Sequence, residues 1–160
     1  MAKKLDKSPE SLAWIAGFFD GEGCVGTLKP YQDSRARLVR VTIAQTVREP
    51  LDDLVPLFGG SVCTQKRGNE RYKTLYQWKI SAKKAEVFLR AIQPYVRVKA
   101  AQLKKALEIR DLINNRSNNG GVGPEPVDRF VQITELALEI SGLNGNQNKN
   151  RMIPASWEVR

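Results

Sequence analysis

Residues 14–23, WIAGFFDGEG, constrain the fold most, because they join an apolar helix to an acidic, glycine-rich end. Just before them, Ser8 can cap a helix and Pro9 suits its first position. Apolar side chains occupy nearly every side of this helix, which predicts that it is buried all round. The sequence therefore predicts a central helix that begins at residue 8 or 9.

Small residues recur at every fourth position of this helix. Ala13, Gly17 and Gly21 form one smooth strip along it. Strips of this kind let two helix backbones approach closely. We therefore expect a helix–helix contact along the strip.

Two acids, Asp20 and Glu22, follow the strip at the carboxyl end of the helix. The helix dipole disfavours negative charge there, and the neighbouring glycines end the helix and leave carbonyl oxygens unpaired. Carboxylates beside carbonyl oxygens are the ligands that a hard cation such as Mg²⁺ prefers. The alternative is a core helix whose acids merely face water, and this stretch alone does not decide between the two.

The net charge indicates the class of partner. Lys and Arg number 26 against 17 Asp and Glu, which gives a formal charge of +9 over 160 residues. Such an excess favours a polyanion, with a membrane surface as the competing explanation, although no basic amphipathic helix stands out. No apolar run is long enough to span a bilayer and no signal-peptide core begins the chain, so we expect an intracellular protein that does not bind a membrane.

The chain contains no histidine and two cysteines, Cys24 and Cys63. The absence of histidine excludes His-based general bases, Ser-His-Asp triads and His-ligated metal sites. Two cysteines are too few for a disulfide scaffold or a four-ligand zinc site, and we expect free thiols in strands. An enzyme of this composition would work with carboxylates, lysine, glutamine and a hard metal ion.

The rest of the chain is predicted to form two β-hairpins, with helices between them and after them. Period-two alternation in residues 35–45 places Val39, Val41 and Ile43 on one face of a strand and Arg40 on the other, which is typical of an antiparallel sheet. The sequence predicts an α+β fold with an αββαββα core. The predicted strands are 24–28, 35–45, 61–66 and 71–80, and the predicted further helices are 51–58, 82–93, 99–114 and 126–141.

Residues 17–23 resemble the signature of the LAGLIDADG homing endonucleases, which ends in glycine, two hydrophobic residues, aspartate, a small residue, an acid and glycine. Two further segments extend the resemblance: a hydrophobic-Gln-Pro-aromatic run at 92–95 that leads to Lys99, and Gln45 at the end of the second strand. The resemblance covers about residues 10–115. It implies a four-stranded antiparallel, saddle-shaped sheet backed by helices.

The resemblance also implies one endonuclease domain over residues 1–160, with a core of about 8–141 and a polar tail at 142–160. One signature per chain implies a homodimer in which two signature helices pair. The dimer contacts would be Ala13, Gly17, Phe18, Asp20 and Gly21.

The resemblance implies that the protein is an intron-encoded enzyme. Such an enzyme breaks both strands of double-stranded DNA at a long pseudo-palindromic site and leaves 3′ overhangs. Glu22 and the carbonyl of Gly21 would bind Mg²⁺, for which Ca²⁺ or Mn²⁺ can substitute. Glu22, Gln45 and Lys99 would be the catalytic residues. Two alternatives remain: an intron RNA maturase and a non-cleaving DNA-binding protein of the same fold.

The polar strand faces and turns supply the candidate DNA contacts, and alternation leaves open whether Leu28 and Leu75 face DNA or the core. The candidates are Gln32, Arg35, Arg37, Arg40, Thr42, Gln65, Arg67, Asn69, Arg71, Lys73, Gln77 and Lys79.

Overall fold

The computed structural model describes residues 4–32, 34, 36–65, 73–118 and 127–145. The predicted α+β order is confirmed. Within the described ranges, no helix is long and apolar enough to cross a membrane. The elements are α1 Pro9–Glu22, β1 Gly23–Leu28, β2 Leu38–Gln45, α2 Glu49–Asp52, α3 Leu54–Phe58, β3 Ser61–Gln65, β4 Leu75–Ser81, α4 Ala82–Ile92, α5 Ala100–Asn118 and α6 Val127–Leu143.

Several boundaries differ from the sequence-based expectation, and α5 continues to Asn118 rather than ending at residue 114. The second strand begins at Leu38 rather than at residue 35. The helix predicted over 51–58 is two short helices, α2 and α3, separated at Asp53. The fourth strand begins at Leu75, so Lys73 precedes it.

α1 begins and ends where the sequence predicts. The hydroxyl of Ser8 accepts a hydrogen bond from the Ser11 amide at 3.4 Å, and Pro9 is the first helical residue. At the other end, Gly23 leaves the helix in an extended conformation. A Cβ at Gly23 would lie 2.3 Å from the ring of Phe19, so glycine is required there by close packing. The helix therefore passes directly into β1.

The sheet has the order β1-β2-β4-β3, and every neighbouring pair is antiparallel. Its inner face carries the core, because paired residues such as Val25, Val41 and Ile80 lie on that side and are buried. Phe88 of α4 packs edge-on against Trp78 of this face, with ring centroids 5.1 Å apart.

The opposite side, which we call the outer face, consists of the residues that alternate with the core residues, and none of them is buried. Its members are Cys24, Gly26, Leu28, Leu38, Arg40, Thr42, Ala44, Ser61, Cys63, Gln65, Leu75, Gln77, Lys79 and Ser81.

α1 is not buried all round, and that prediction is wrong. Ile15, Ala16 and Phe19 are buried against the core, whereas Ala13 and Gly17 are exposed. An all-apolar helix does not reveal from its composition which side meets the rest of its own chain. One side of α1 therefore remains open to solvent.

A group of charged and polar side chains, the Glu86 cluster, joins α4 to α5. Glu86 and Arg110 are each only 6% exposed, and the guanidinium of Arg110 donates two hydrogen bonds of 3.1 Å to the Glu86 carboxylate. Arg90 donates to the same carboxylate at 3.1 Å and Asn114 at 3.2 Å, while Arg90 also reaches Asp111 at 2.5 Å. The cluster fixes the two helices against each other.

Candidate catalytic site and nucleic-acid interface

The open side of α1 carries the small-residue strip. Ala13, Gly17 and Gly21 are exposed, and beside them Trp14 is 48% exposed. A Cβ added at Gly17 or at Gly21 would meet nothing within 4 Å. No contact among the described residues therefore requires glycine at either position. Phe18 is half-buried at the edge of the strip, with its ring 5.1 Å from that of Trp14.

Asp20 faces its own chain. Its carboxylate accepts hydrogen bonds from the backbone amides of Arg97 at 2.8 Å, Val98 at 3.1 Å and Lys99 at 2.9 Å. Burial raises the pKa of Asp20, but these three amides and the nearby charge of Lys99 outweigh it and lower the pKa below its usual value. Asp20 thus ties the end of α1 to the turn that leads into α5.

This turn carries Lys99 to the carboxyl end of α1. The ammonium group of Lys99 donates a hydrogen bond to the backbone carbonyl of Asp20 and lies 6.0 Å from the ring centroid of Phe19. A cation is favoured at that end of a helix, because the exposed carbonyl groups make it partly negative. Glu22 ends the same helix, so the structure brings the candidate lysine and the candidate acid to one end of α1.

The strand register places Gln45 at the end of the sheet where α1 passes into β1. Gly23, the residue after Glu22, pairs with Ile43, and β2 continues for two residues beyond that pair to Gln45. The side-chain oxygen of Gln45 accepts hydrogen bonds from the amide of Thr46 at 2.7 Å and from its hydroxyl at 3.1 Å. The candidate glutamine therefore lies near the α1 terminus with its oxygen already engaged.

Glu22 is the exposed acid at this end of α1. Within the part of the chain that the structure describes, no three acidic or cysteine side chains are grouped so that they could hold a metal ion. Since Asp20 is engaged by three amides, Glu22 is the one exposed carboxylate that the described part of a single chain offers at this helix end, and Gly21 precedes it with a backbone carbonyl. A Mg²⁺ site would fit these residues if a second copy supplied a second Glu22.

The outer face places several candidate DNA contacts side by side. Thr42 pairs directly with Lys79, and Arg40 lies in the next row of the same face. Gln65 donates a hydrogen bond of 2.8 Å to Gln77 on the neighbouring strand. These five residues therefore form one polar and basic surface.

The other candidates that the structure describes lie just outside the strands. Gln32 is exposed in the turn after β1, and Lys73 is exposed just before β4. Arg37 is half-buried, and burial lowers the pKa of its guanidinium. Arg35, Arg67, Asn69 and Arg71 lie outside the described residues.

Sequence reasoning missed two features of this site. The first is the bonding of Asp20 to a turn 77 to 79 residues away, for which no local pattern gives a signal. The second is the side on which Leu28 and Leu75 lie, which alternation left open and which the strand register places on the outer face.

Comparisons with known proteins agree on a single fold. Residues 9–93 match the model of the LAGLIDADG-like domain. A sequence comparison with curated proteins finds no match.

Among solved structures, the chain is similar to the homing endonuclease I-CvuI in complex with its target, with 23% identity, 84% of this chain and 82% of that chain covered, and a TM-score of 0.65. It is also similar to the archaeal intron-encoded homing endonuclease I-Vdi141I complexed with DNA, with 21% identity, 84% of each chain covered and a TM-score of 0.65. The group I intron-encoded homing endonuclease I-CeuI complexed with DNA matches at 16% identity, over 91% of this chain and 73% of that chain, with a TM-score of 0.64. At these identities the similarity establishes the fold.

Proposed function

The chain belongs to the LAGLIDADG-like family, and from this premise we propose that it is a site-specific endonuclease that cuts both strands of DNA as a homodimer. The observation that carries the proposal is the bonding of Asp20 to the 97–99 turn, which brings Lys99 to the same end of α1 as Glu22. The proposed domain comprises residues 1–160, with a core from about residue 8 to residue 141.

The outer face would bind the DNA. Its Arg40 and Lys79 suit phosphate oxygens and base edges, and a sheet hairpin fits the width of the major groove. Three of the solved structures with this fold are described as complexes with a target or with DNA. The excess of 26 Lys and Arg over 17 Asp and Glu favours the same partner.

The open side of α1 would form the dimer contact. A glycine inside a helix costs about 0.5–1 kcal/mol relative to alanine, and among the residues that the structure describes nothing lies within 4 Å of a Cβ at Gly17 or Gly21 to offset that cost. Close approach of a second α1 along the strip explains both glycines. A two-fold axis there would bring Glu22 and its symmetry mate together.

Glu22 from each chain and the carbonyl of Gly21 would hold the metal, with Mg²⁺ as the expected ion and Ca²⁺ or Mn²⁺ as substitutes. Bound Mg²⁺ supplies charge stabilisation to the attacking and leaving oxygens of an in-line phosphodiester displacement. Two carboxylates at close range repel each other, so the pair favours occupancy by a cation.

Lys99 and Gln45 would act on the scissile phosphate and on the attacking water. The ammonium of Lys99 would stabilise negative charge that develops on the phosphate oxygens. Because its oxygen is held by Thr46, the amide nitrogen of Gln45 would be the end that orients the water. A cut on each strand would leave 3′ overhangs.

The test is digestion of a randomised plasmid library with and without Mg²⁺, followed by sequencing of the new DNA ends. We expect Mg²⁺-dependent breaks at one pseudo-palindromic site and a dimeric mass by light scattering. Glu22→Gln should lower the cutting rate by roughly a hundredfold or more while DNA binding is retained. Glu10→Gln is the matched control, since Glu10 is an exposed acid in the first turn of the same helix.

Normal cutting by Glu22→Gln would contradict the mechanism. Tight DNA binding without cutting would instead indicate a non-cleaving DNA-binding protein. RNA binding that is indifferent to Glu22 would indicate a maturase.

A further inference from the structure

The outer face contains an apolar pair that its polar and basic character does not explain. Leu28 and Leu38 face each other directly across β1 and β2. Both are half-buried, and neither belongs to the residues that pack against the described core. The pair lies at the end of the sheet next to the 29–37 turn.

The surroundings of the pair are open and charged. In the next row of the outer face Gly26 pairs with Arg40, and a Cβ at Gly26 would meet nothing within 4 Å. The pair therefore lies beside Gly26, which has no side chain, and next to the exposed side chain of Arg40. A ligand that binds over these two adjacent rows would contact the cation of Arg40 and both leucine side chains.

Leu75, the third leucine of the outer face, stands in a different setting. It pairs across strands with Gln65, which is hydrogen bonded to Gln77. That end of the sheet therefore offers amide groups beside its leucine. Among the described cross-strand pairs of the outer face, Leu28–Leu38 is the one with a leucine on both strands.

We propose that Leu28 and Leu38 read the C5-methyl group of a thymine in the major groove. This inference rests on the proposed DNA-binding function of the outer face. Among the edges that normal bases present in the major groove, the thymine methyl is the apolar group. Arg40 in the adjacent row would bind a neighbouring guanine or phosphate.

The strand geometry locates the thymine relative to the cut. Leu28 follows Glu22 by six residues along β1, which corresponds to about 20 Å at about 3.4 Å per residue. DNA rises by about 3.4 Å per base pair, so the methyl would lie roughly five to seven base pairs from the scissile phosphate. By two-fold symmetry the preference recurs in both half-sites.

The experiment is a binding selection from a randomised duplex library with the full chain, followed by substitution of deoxyuridine for the thymine at the predicted position of one half-site only. Uracil keeps the hydrogen-bonding edges of thymine and lacks only the methyl group. We expect roughly four-fold weaker binding of wild type to the deoxyuridine site, the loss expected from one methyl group. The variant with Leu28→Gln and Leu38→Gln should bind both sites equally and should lose the thymine preference at that position alone.

Val131→Gln is the matched control, because Val131 is an apolar residue of α6 that is 44% exposed and does not belong to the outer face. It should keep the discrimination between thymine and uracil. If circular dichroism shows that the double variant is unfolded, the single variant Leu38→Ala serves in its place and should reduce the discrimination.

A selected site without thymine in this interval, or equal binding of wild type to both sites, would overturn the inference while the proposed function stands. If wild type selects no sequence at all, the proposed function fails and this inference fails with it.

Discussion

Asp20 and Glu86 are two carboxylates with lowered pKa values, and they are held in different ways. Burial raises the pKa of each, and hydrogen bonds outweigh burial in both cases. Asp20 is bonded by three backbone amides of one turn, whereas Glu86 is bonded by the side chains of Arg90, Arg110 and Asn114.

The two arrangements fix different parts of the molecule. Backbone amides determine the path of the chain, so Asp20 sets the position from which Lys99 extends. Side chains on two helices determine how those helices pack, so Glu86 holds α4 to α5. Glu22, the proposed metal ligand, is the exposed acid, and a perturbed pKa alone does not identify the chemistry of a site.

The largest effect is expected from Glu86→Ala. This change leaves the charge of Arg110 buried without its acidic partner, and we expect the free energy of unfolding to fall by roughly 3–5 kcal/mol. Urea denaturation measures this change in the free energy of unfolding. Glu108→Ala is the control, because Glu108 is an exposed acid on α5. The rate constant for DNA cutting by the folded protein should stay unchanged. A loss of stability as small as that of the control would show that the cluster contributes little.

A smaller effect on stability, but a larger one on cutting, is expected from Asp20→Ala. Loss of the three amide contacts should lower the free energy of unfolding by about 1–2 kcal/mol, as for a lost helix cap. Because Asp20 positions Lys99, kcat should fall while KM changes little. Asp20→Asn keeps an oxygen that can accept from the Lys99 amide and should restore part of kcat. Equal effects on kcat and KM would refute the positioning role.

The smallest effect concerns the pH dependence of stability. A carboxylate whose pKa is lowered by folding stabilises the protein above its unfolded pKa, and that stability is lost as the pH falls through the folded value. For Glu86, with an ordinary value of 4.5, stability should be constant near neutral pH and decline below about pH 4.5. Glu86→Gln should show a shallower decline in urea denaturation across this range. Identical slopes would assign the acid sensitivity to Asp20 and other groups.

Local chemistry was enough to predict much of the fold. Ser8 and Pro9 located the start of α1, and period-two alternation assigned Arg40 to the polar face of β2. Arg110 also gave a usable signal, because it falls at helical spacing among apolar residues of α5 and is buried against Glu86.

Long-range placement could not be predicted in the same way. The bonding of Asp20 to Lys99 spans 79 residues, and the open side of α1 depends on which neighbours the rest of the chain supplies. The side on which Leu28 lies depends on its pairing with Leu38, which alternation within one strand does not reveal.

The single exposed carboxylate at the end of α1 has a consequence for gene dosage. If each active centre draws one Glu22 from each of two chains, assembled enzyme at low concentration rises with the square of the amount of protein synthesised. Doubling expression would then raise cutting about four-fold, as mass action requires. In a cell that contains few copies, chromosome damage would then be reduced by more than the reduction in copy number.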